Sequence, residues 1–483
     1  MTPRIRDSIE RTGPDGATGA GGTACPPPAI EDQERLSRQL TARQLAMIAI
    51  GGAIGTGLFL GSSLAVHTAG PAVILSYLIG AVITVLFMGA LSEMAVAHPT
   101  AGSFGVYAEL YLNRWAGFTV RYTYWAAQCI AIGGEATAIA IYCQWWFPNT
   151  PKWLWVLGFA CALLYVNARS VGSFGTFEYW FAMIKVVAIV LFIVFGLALL
   201  ARGGSSSGVG LSNLTTHGGF LPTGWRGAWM ATVFVIFGYF GTETIAVTAG
   251  EAKDPRTAVP RAMRTMVARL ILFYLGSIAV LMAIVPWDQV QPGSGVTASP
   301  FVRVFQLIGV PAAAHVVNFV VITAAASSVN CNLYLVSRMM FSLARGGYAP
   351  AAFGRVSKRG TPVPALLVSA AGLAIATAVA MASPDSAFVY LFGISLFGGL
   401  FAWLMIFVTH LFFRPKWEAA GHSPLPMRMY GHPWGSLLGA AAITAIMATT
   451  WFVEGMRVTL IAGLPWLAAL SAAYLFVARR QTG

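Results

Sequence analysis

The sequence predicts an all-α membrane protein of twelve transmembrane helices, built as two inverted five-helix repeats with helices 1 and 6 broken and two helices outside the repeat. Three observations carry that expectation. Of 483 residues, 57% are apolar and only 10% are charged, against about 25% charged in a soluble domain, so this chain cannot cover itself with polar surface. Apolar runs of about 20 residues, enough to cross roughly 30 Å of hydrocarbon, recur along nearly its whole length. Two of those runs, five helices apart, are interrupted by glycine clusters, as expected of inverted repeats whose ligand site lies at the broken helices.

The helices are expected at approximately 43–66, 72–97, 118–147, 152–170, 177–201, 225–250, 262–286, 311–343, 362–383, 386–411, 434–453 and 458–478. They divide the chain into a tail (1–42), a first repeat (43–201), a second repeat (225–411) and helices 11 and 12 (434–478). With the N-terminus inside, 24 of the 30 Lys and Arg fall in or beside cytoplasmic segments; Lys152, Arg202, Arg226, Arg303 and Arg457 fall outside, and Lys185 is left within a helix. That asymmetry follows the positive-inside rule, with both termini cytoplasmic and the chain in the cell inner membrane. The net charge of +13 is spread over these loops, so the bilayer, and no nucleic acid, is the expected partner.

Residues 1–42 are rich in Gly, Pro and Thr and carry no apolar core of a cleavable signal, which reads as a disordered tail. Residues 98–117 mix aromatic and polar side chains, as an interfacial cytoplasmic helix does. The basic stretch 344–364, broken by glycines and prolines, is a connector. The cysteines Cys25, Cys129, Cys143, Cys161 and Cys331 have no metal-ligand spacing, and they read as small apolar fillers. His315 and His410 read as packed or interfacial residues. No metal site and no cofactor are expected, and no nucleophile or phosphate-binding motif suggests an enzyme.

The first glycine cluster contains Gly51, Gly52, Gly55, Gly57 and Gly61. Its small-xxx-small spacing suits close helix packing, but each interior glycine costs a helix roughly 1 kcal/mol relative to Ala, and Gly55-Thr56-Gly57 exceeds what one packing face needs. An unwound turn at Ala53, Ile54, Gly55, Thr56 and Gly57 would offer N–H groups to an anion and carbonyls to a cation, the two ends of an amino acid. The run Phe237-Gly-Tyr-Phe-Gly-Thr-Glu243 offers the second half, because Gly238 and Gly241 permit unwinding and freed carbonyls suit an ammonium group. Glu243 and Lys185 are ionisable groups at membrane depth, expensive and by default functional; the plainer alternatives are a protonated carboxyl hydrogen-bonded for structural reasons at Glu243 and a lysine snorkelling to the interface at Lys185. A lysine held away from water can gain and lose a proton during a cycle, which makes Lys185 the candidate for proton coupling. Glu135 faces the same cavity or bonds a neighbouring helix. Ser327, Ser328, Asn330 and Asn332 read as polar glue between helices.

Together, Ile54-Gly-Thr-Gly-Leu-Phe59, Phe177-Glu-Tyr-Trp-Phe-Ala-Met-Ile-Lys185, Phe240-Gly-Thr-Glu243, Ala249-Gly-Glu-Ala-Lys-Asp-Pro255, Ser299-Pro-Phe301 and Ala326-Ser-Ser-Val-Asn330 resemble the bacterial amino acid permeases of the amino acid/polyamine/organocation superfamily. The resemblance runs over roughly residues 36–478 and implies a LeuT-like fold. It implies that the backbone of Thr56 and Gly57 holds a substrate carboxylate and that the carbonyls of Ala53, Phe237, Gly238 and Phe240 hold its ammonium group, with Phe237 closing over the substrate. It also implies a gating or coupling carboxylate at Glu243 and, at Lys185, the lysine that stands in for a sodium ion in proton-coupled relatives. The function expected is import of an amino acid by proton symport with alternating access, driven by the proton gradient. An exchanger or a polyamine or organic cation permease is the alternative in the same architecture, and a membrane amino acid sensor is the alternative in another class.

Overall fold

A computed structural model describes residues 36, 39–59, 61–202, 209–290, 301, 302, 304, 311–382 and 387–482. Nearly all of the predicted tail, Cys25, Arg303, and Ser299 and Pro300 of the quoted motifs lie outside the described residues. The described chain is helical, and among the described residues every predicted segment lies mostly in helix. Sixteen α-helices are named here in order: α1 (Ala42–Ala53), α2 (Thr56–Phe59), α3 (Gly61–Ala69), α4 (Val73–Ala97), α5 (Ser103–Tyr111), α6 (Arg114–Gln144), α7 (Lys152–Arg169) and α8 (Val171–Ala201). There follow α9 (Gly224–Gly238), α10 (Thr244–Thr248), α11 (Pro255–Ile284), α12 (Pro311–Arg345), α13 (Val363–Ala382), α14 (Ala387–Ala419), α15 (Trp434–Thr449) and α16 (Val458–Thr482). Among the described residues, eight helical stretches are long and apolar enough to cross a membrane, so this is a multi-pass membrane protein.

Local chemistry places several starts. Thr41 and Gln44 form a reciprocal capping box at α1, satisfying donors that an α-helix leaves unpaired. Asn113 accepts the Ala116 amide at 2.8 Å to open α6, and Ser170 accepts the Ser173 amide at 3.1 Å to open α8. Because α8 begins at Val171 and not at 177, Lys185 lies about 14 residues, or roughly 21 Å, inside it. That depth defeats a snorkelling lysine, whose stem reaches water only from near a helix end.

The helices segregate lipid from core by face. On α8, Glu178, Ala182, Lys185 and Ile189 are buried, while Trp180, Leu191, Val194 and Phe195 are exposed, the pattern of one inward stripe on an apolar cylinder. Inside, α12 packs along α6, α8 and α1, and α6 also carries α14.

Two expectations need correction. The helix at 98–117 exists as α5, but Phe104, Tyr107 and Ala108 are buried, and Phe104 packs edge-on against Tyr124 of α6 at 4.9 Å. Its aromatic residues serve the protein core and not the membrane surface. Lys185 is also not the one cation inside a helical run: Arg121 and Arg338 are 2% exposed. Each is neutralised locally, Arg121 by Glu109 and Arg338 by Glu251 at 2.8 Å, which is why a buried guanidinium is tolerated. His410 is a packed residue, as expected: its Nε2 lies 3.1 Å from Glu93, which also pairs with Arg414 and ties α4 to α14.

Candidate functional site

Both predicted interruptions are real gaps in helix. The first leaves Ile54 and Gly55 between α1 and α2, and the second leaves 239–243 between α9 and α10. They face each other at contact distance: a Cβ built on Gly57 would lie 3.0 Å from Gly238 Cα, and one built on Gly241 would lie 2.2 Å from the Gly52 carbonyl oxygen. Gly241 also has φ +93°, a conformation that glycine alone adopts without strain. These glycines bring the backbones of the two gaps into direct contact. A Cβ built on Gly61 would meet only an ordinary contact, Phe392 at 3.9 Å, whereas those built on Gly51, Gly52, Gly55 and Gly57 would meet atoms at about 3.0 Å or closer.

A cavity lies between the two gaps, and Ala53, Gly55, Gly57, Phe237, Gly238, Phe240 and Glu135, all expected there, line it. Thr56 lines a smaller space beside it. Ile54, Lys185 and Glu243 do not line the cavity; they stand behind the gaps. Gly52, Gly241, Ala131, Gln128, Ser395 and, from the group read as glue, Ser328 and Asn332 complete the wall. Ser327 and Asn330 instead face Glu178. Gln128 was legible, standing seven residues before Glu135 on one face of α6; Ser395 carries no such signal.

Lys185 is fully buried. Its ammonium donates to the carbonyls of Gly51 at 2.5 Å and Ile54 at 2.7 Å, where α1 ends. A helix C-terminus leaves carbonyls unpaired and carries partial negative charge, so a lysine reaching from α8 satisfies both needs. Glu243 accepts from Tyr124 at 2.8 Å, the Gly241 amide at 3.1 Å and the indole of Trp403 at 3.3 Å. Those donors come from α6, the second gap and α14, so this carboxyl binds the gap to its surroundings and has no opening onto the cavity.

Glu135 occupies the position expected for an anion. Its Oε1 accepts from the Thr56 amide at 3.4 Å and the Ser328 hydroxyl at 3.1 Å, and its Oε2 is buried with no hydrogen-bond partner. Thus the amide expected to meet a ligand's carboxylate meets the chain's own. The carbonyls expected to bind an ammonium are also engaged: the Tyr274 hydroxyl reaches Ala53 O at 2.8 Å and Gly238 O at 2.5 Å. A carbonyl has two lone pairs, so it can accept again. Phe237 packs on Phe392 with ring centroids 4.0 Å apart, and its edge lies 3.3 Å from a Cβ built on Gly57.

Tyr274, on α11, stitches the two gaps together with one hydroxyl, and nothing in its apolar surroundings marks it in the sequence. Tyr274→Phe keeps the ring and removes the hydroxyl. Leaving buried acceptors unpaired costs about 1–3 kcal/mol, so ligand affinity is expected to fall about tenfold while the thermal midpoint shifts by a few degrees. Equilibrium binding and melting of the purified variant check this.

A profile of the amino acid permease family matches residues 44–482. The chain belongs to that family. Its members are transporters and not enzymes. The chain is 40% identical over 428 residues to the gamma-aminobutyric acid permease of Bacillus subtilis, covering 88% of this chain and 90% of that one. It is 39% identical over 446 residues to the aromatic amino acid transport protein AroP of Escherichia coli K12, covering 92% and 96%. A probable threonine/serine transporter of Bacillus subtilis, YbxG, is 37% identical over 443 residues, covering 91% and 95%.

Proposed function

We propose that this permease imports an amino acid across the bacterial inner membrane by proton symport with alternating access. The observation that carries the reading is the cavity between two facing helix gaps, where backbone N–H and C=O groups converge within reach of one small zwitterion. Its relatives are named for γ-aminobutyric acid, aromatic amino acids and threonine or serine, ligands that share a carboxylate and an ammonium group and little else. Recognition by backbone groups at the gaps fits a family that keeps the ends of its ligand and changes the middle.

In this reading ten of the twelve spans form two inverted five-helix repeats, 43–201 and 225–411, helices 11 and 12 stand outside them, and both termini are cytoplasmic. The carboxylate of the substrate binds at Thr56 and Gly57, and its ammonium group at the carbonyls of Ala53, Phe237, Gly238 and Phe240. Substrate entry displaces Glu135 from the Thr56 amide, and Phe237 closes over the ligand. The two halves of the first broken helix then move relative to α8, which makes Lys185 sensitive to the state of the cavity. The proton gradient supplies the driving force, and no cofactor is needed.

The test is competition of an unlabelled amino acid panel against one transported substrate in proteoliposomes. Masking either end of a substrate, as its amide or its N-acetyl derivative, should abolish competition. Competition by a masked form equal to that of the free amino acid would sink the head-group reading.

A further inference from the structure

Lys185 does not stand alone on α8. Glu178 and Lys185 lie on the same buried stripe, two turns or roughly 10 Å apart along the axis. Glu178 is fully buried, an expensive placement for a carboxyl that the transport scheme above leaves without a task. Its Oε1 accepts from the Ser327 hydroxyl and its Oε2 from Asn330 Nδ2 at 2.9 Å, both on α12.

The carboxyl is also seated on α1. A Cβ built on Gly51 would fall 2.2 Å from Glu178 Oε1, and the carbonyl of the same Gly51 accepts from Lys185 Nζ. One residue of α1 therefore covers the carboxylate and holds the ammonium. The titratable neighbours are few: Cys331 on α12 lies beside both groups, and Glu135 on α6 interacts with Lys185. From α7, Asn167 donates to Asn330 Oδ1 at 2.8 Å. The contacts of α11 with α8 at Gly276 and Val280 involve apolar side chains.

We propose that Glu178 is the proton acceptor for Lys185, relaying the coupling proton toward the end of α8 at which Leu40 pairs with Ala252. This rests on the proton-coupled reading above. When α1 moves, Gly51 withdraws from both groups and admits water between them. An N–H bond of the Lys185 ammonium breaks and, through that water, an O–H bond forms on Glu178, leaving a neutral amine and a neutral carboxyl. Water then takes the carboxyl proton as hydronium and restores the carboxylate. The first transfer turns two charges into none, so neither group needs a counter-ion once Gly51 has withdrawn. On this view Gly51 is a glycine because any side chain there would hold the carboxyl away from its seat.

The test compares counterflow, which needs no net proton movement, with uptake driven by an imposed pH gradient and with proton entry read by an internal dye. Full-length protein in proteoliposomes and the amino acid found by the competition panel are used. Glu178→Gln is expected to keep counterflow within about twofold while gradient-driven uptake and substrate-linked proton entry fall at least about tenfold; Glu178→Asp should recover part of both. Ser327→Ala, a milder change serving if the glutamine variant does not fold, should move the pH midpoint of driven uptake and leave counterflow intact. Parental proton entry and pH profile in Glu178→Gln, equal loss of counterflow and driven uptake, or an unmoved midpoint in Ser327→Ala would each overturn the relay. If the parent itself moves no protons with substrate, the coupling reading fails first, and the relay with it.

Discussion

Lys185→Ala is expected to abolish accumulation driven by an imposed pH gradient, a loss on the order of a hundredfold or more, while substrate binding remains measurable. The ammonium sits where α1 ends, donating to Gly51 and Ile54, and it lies behind the cavity without lining it. Its removal leaves two carbonyls without that donor, which costs about 1–3 kcal/mol and weakens the closed arrangement without touching the groups proposed to bind substrate. Lys185→Arg should not rescue accumulation. A guanidinium can fill the two hydrogen bonds, but it does not give up its proton in proteins. Uptake at fixed internal pH, set beside equilibrium binding, separates the two effects. If the arginine variant concentrates substrate as the parent does, Lys185 is a positioning charge and the coupling carboxylate must be sought at Glu243 or Glu135.

Gly57→Val is expected to cost substrate affinity by a factor of about ten to a hundred, because overpacking at a close backbone contact costs roughly 1–3 kcal/mol and holds the two gaps apart. The place for a Cβ at Gly57 is 3.0 Å from Gly238 Cα and 3.3 Å from the Phe237 ring edge, so even the first added carbon separates the two halves of the site. Gly55→Val meets different atoms, Glu135 Oε1 at 2.9 Å and Ser328 Oγ at 3.0 Å. Both partners are ends of side chains that can turn, so Gly55→Val should fold more readily than Gly57→Val and lose affinity by dislodging Glu135. Binding and thermal melting are measured together on each variant. Normal affinity in both would return these glycines to a packing role alone.

Helix positions were legible because apolar runs and glycine interruptions are local properties of a chain whose solvent is hydrocarbon. The gap at Gly55 and the gap before Glu243 appear at the expected residues, since glycines that close together weaken a helix wherever it sits. Glu178 was legible in principle, seven residues before Lys185 on the same stripe, but a single residue spacing does not say that Gly51 of another helix lies on it. Tyr274 had no signal, because a tyrosine in an apolar run is ordinary until its hydroxyl is seen between two carbonyls. Arg121 and Arg338 read as residues near helix ends, and only their partners Glu109 and Glu251 account for their burial.

By itself, then, the sequence determined the medium, the helices and the two weak points, all of which follow from composition and spacing along one segment. The roles of the ionisable groups were decided by tertiary structure. Glu243 turned out to be saturated by three donors from three elements, Glu135 to lie on the Thr56 amide, and Lys185 to end α1 from another helix. The cost of a buried charge depends on which groups from distant parts of the chain face it, and no period within a helix encodes that.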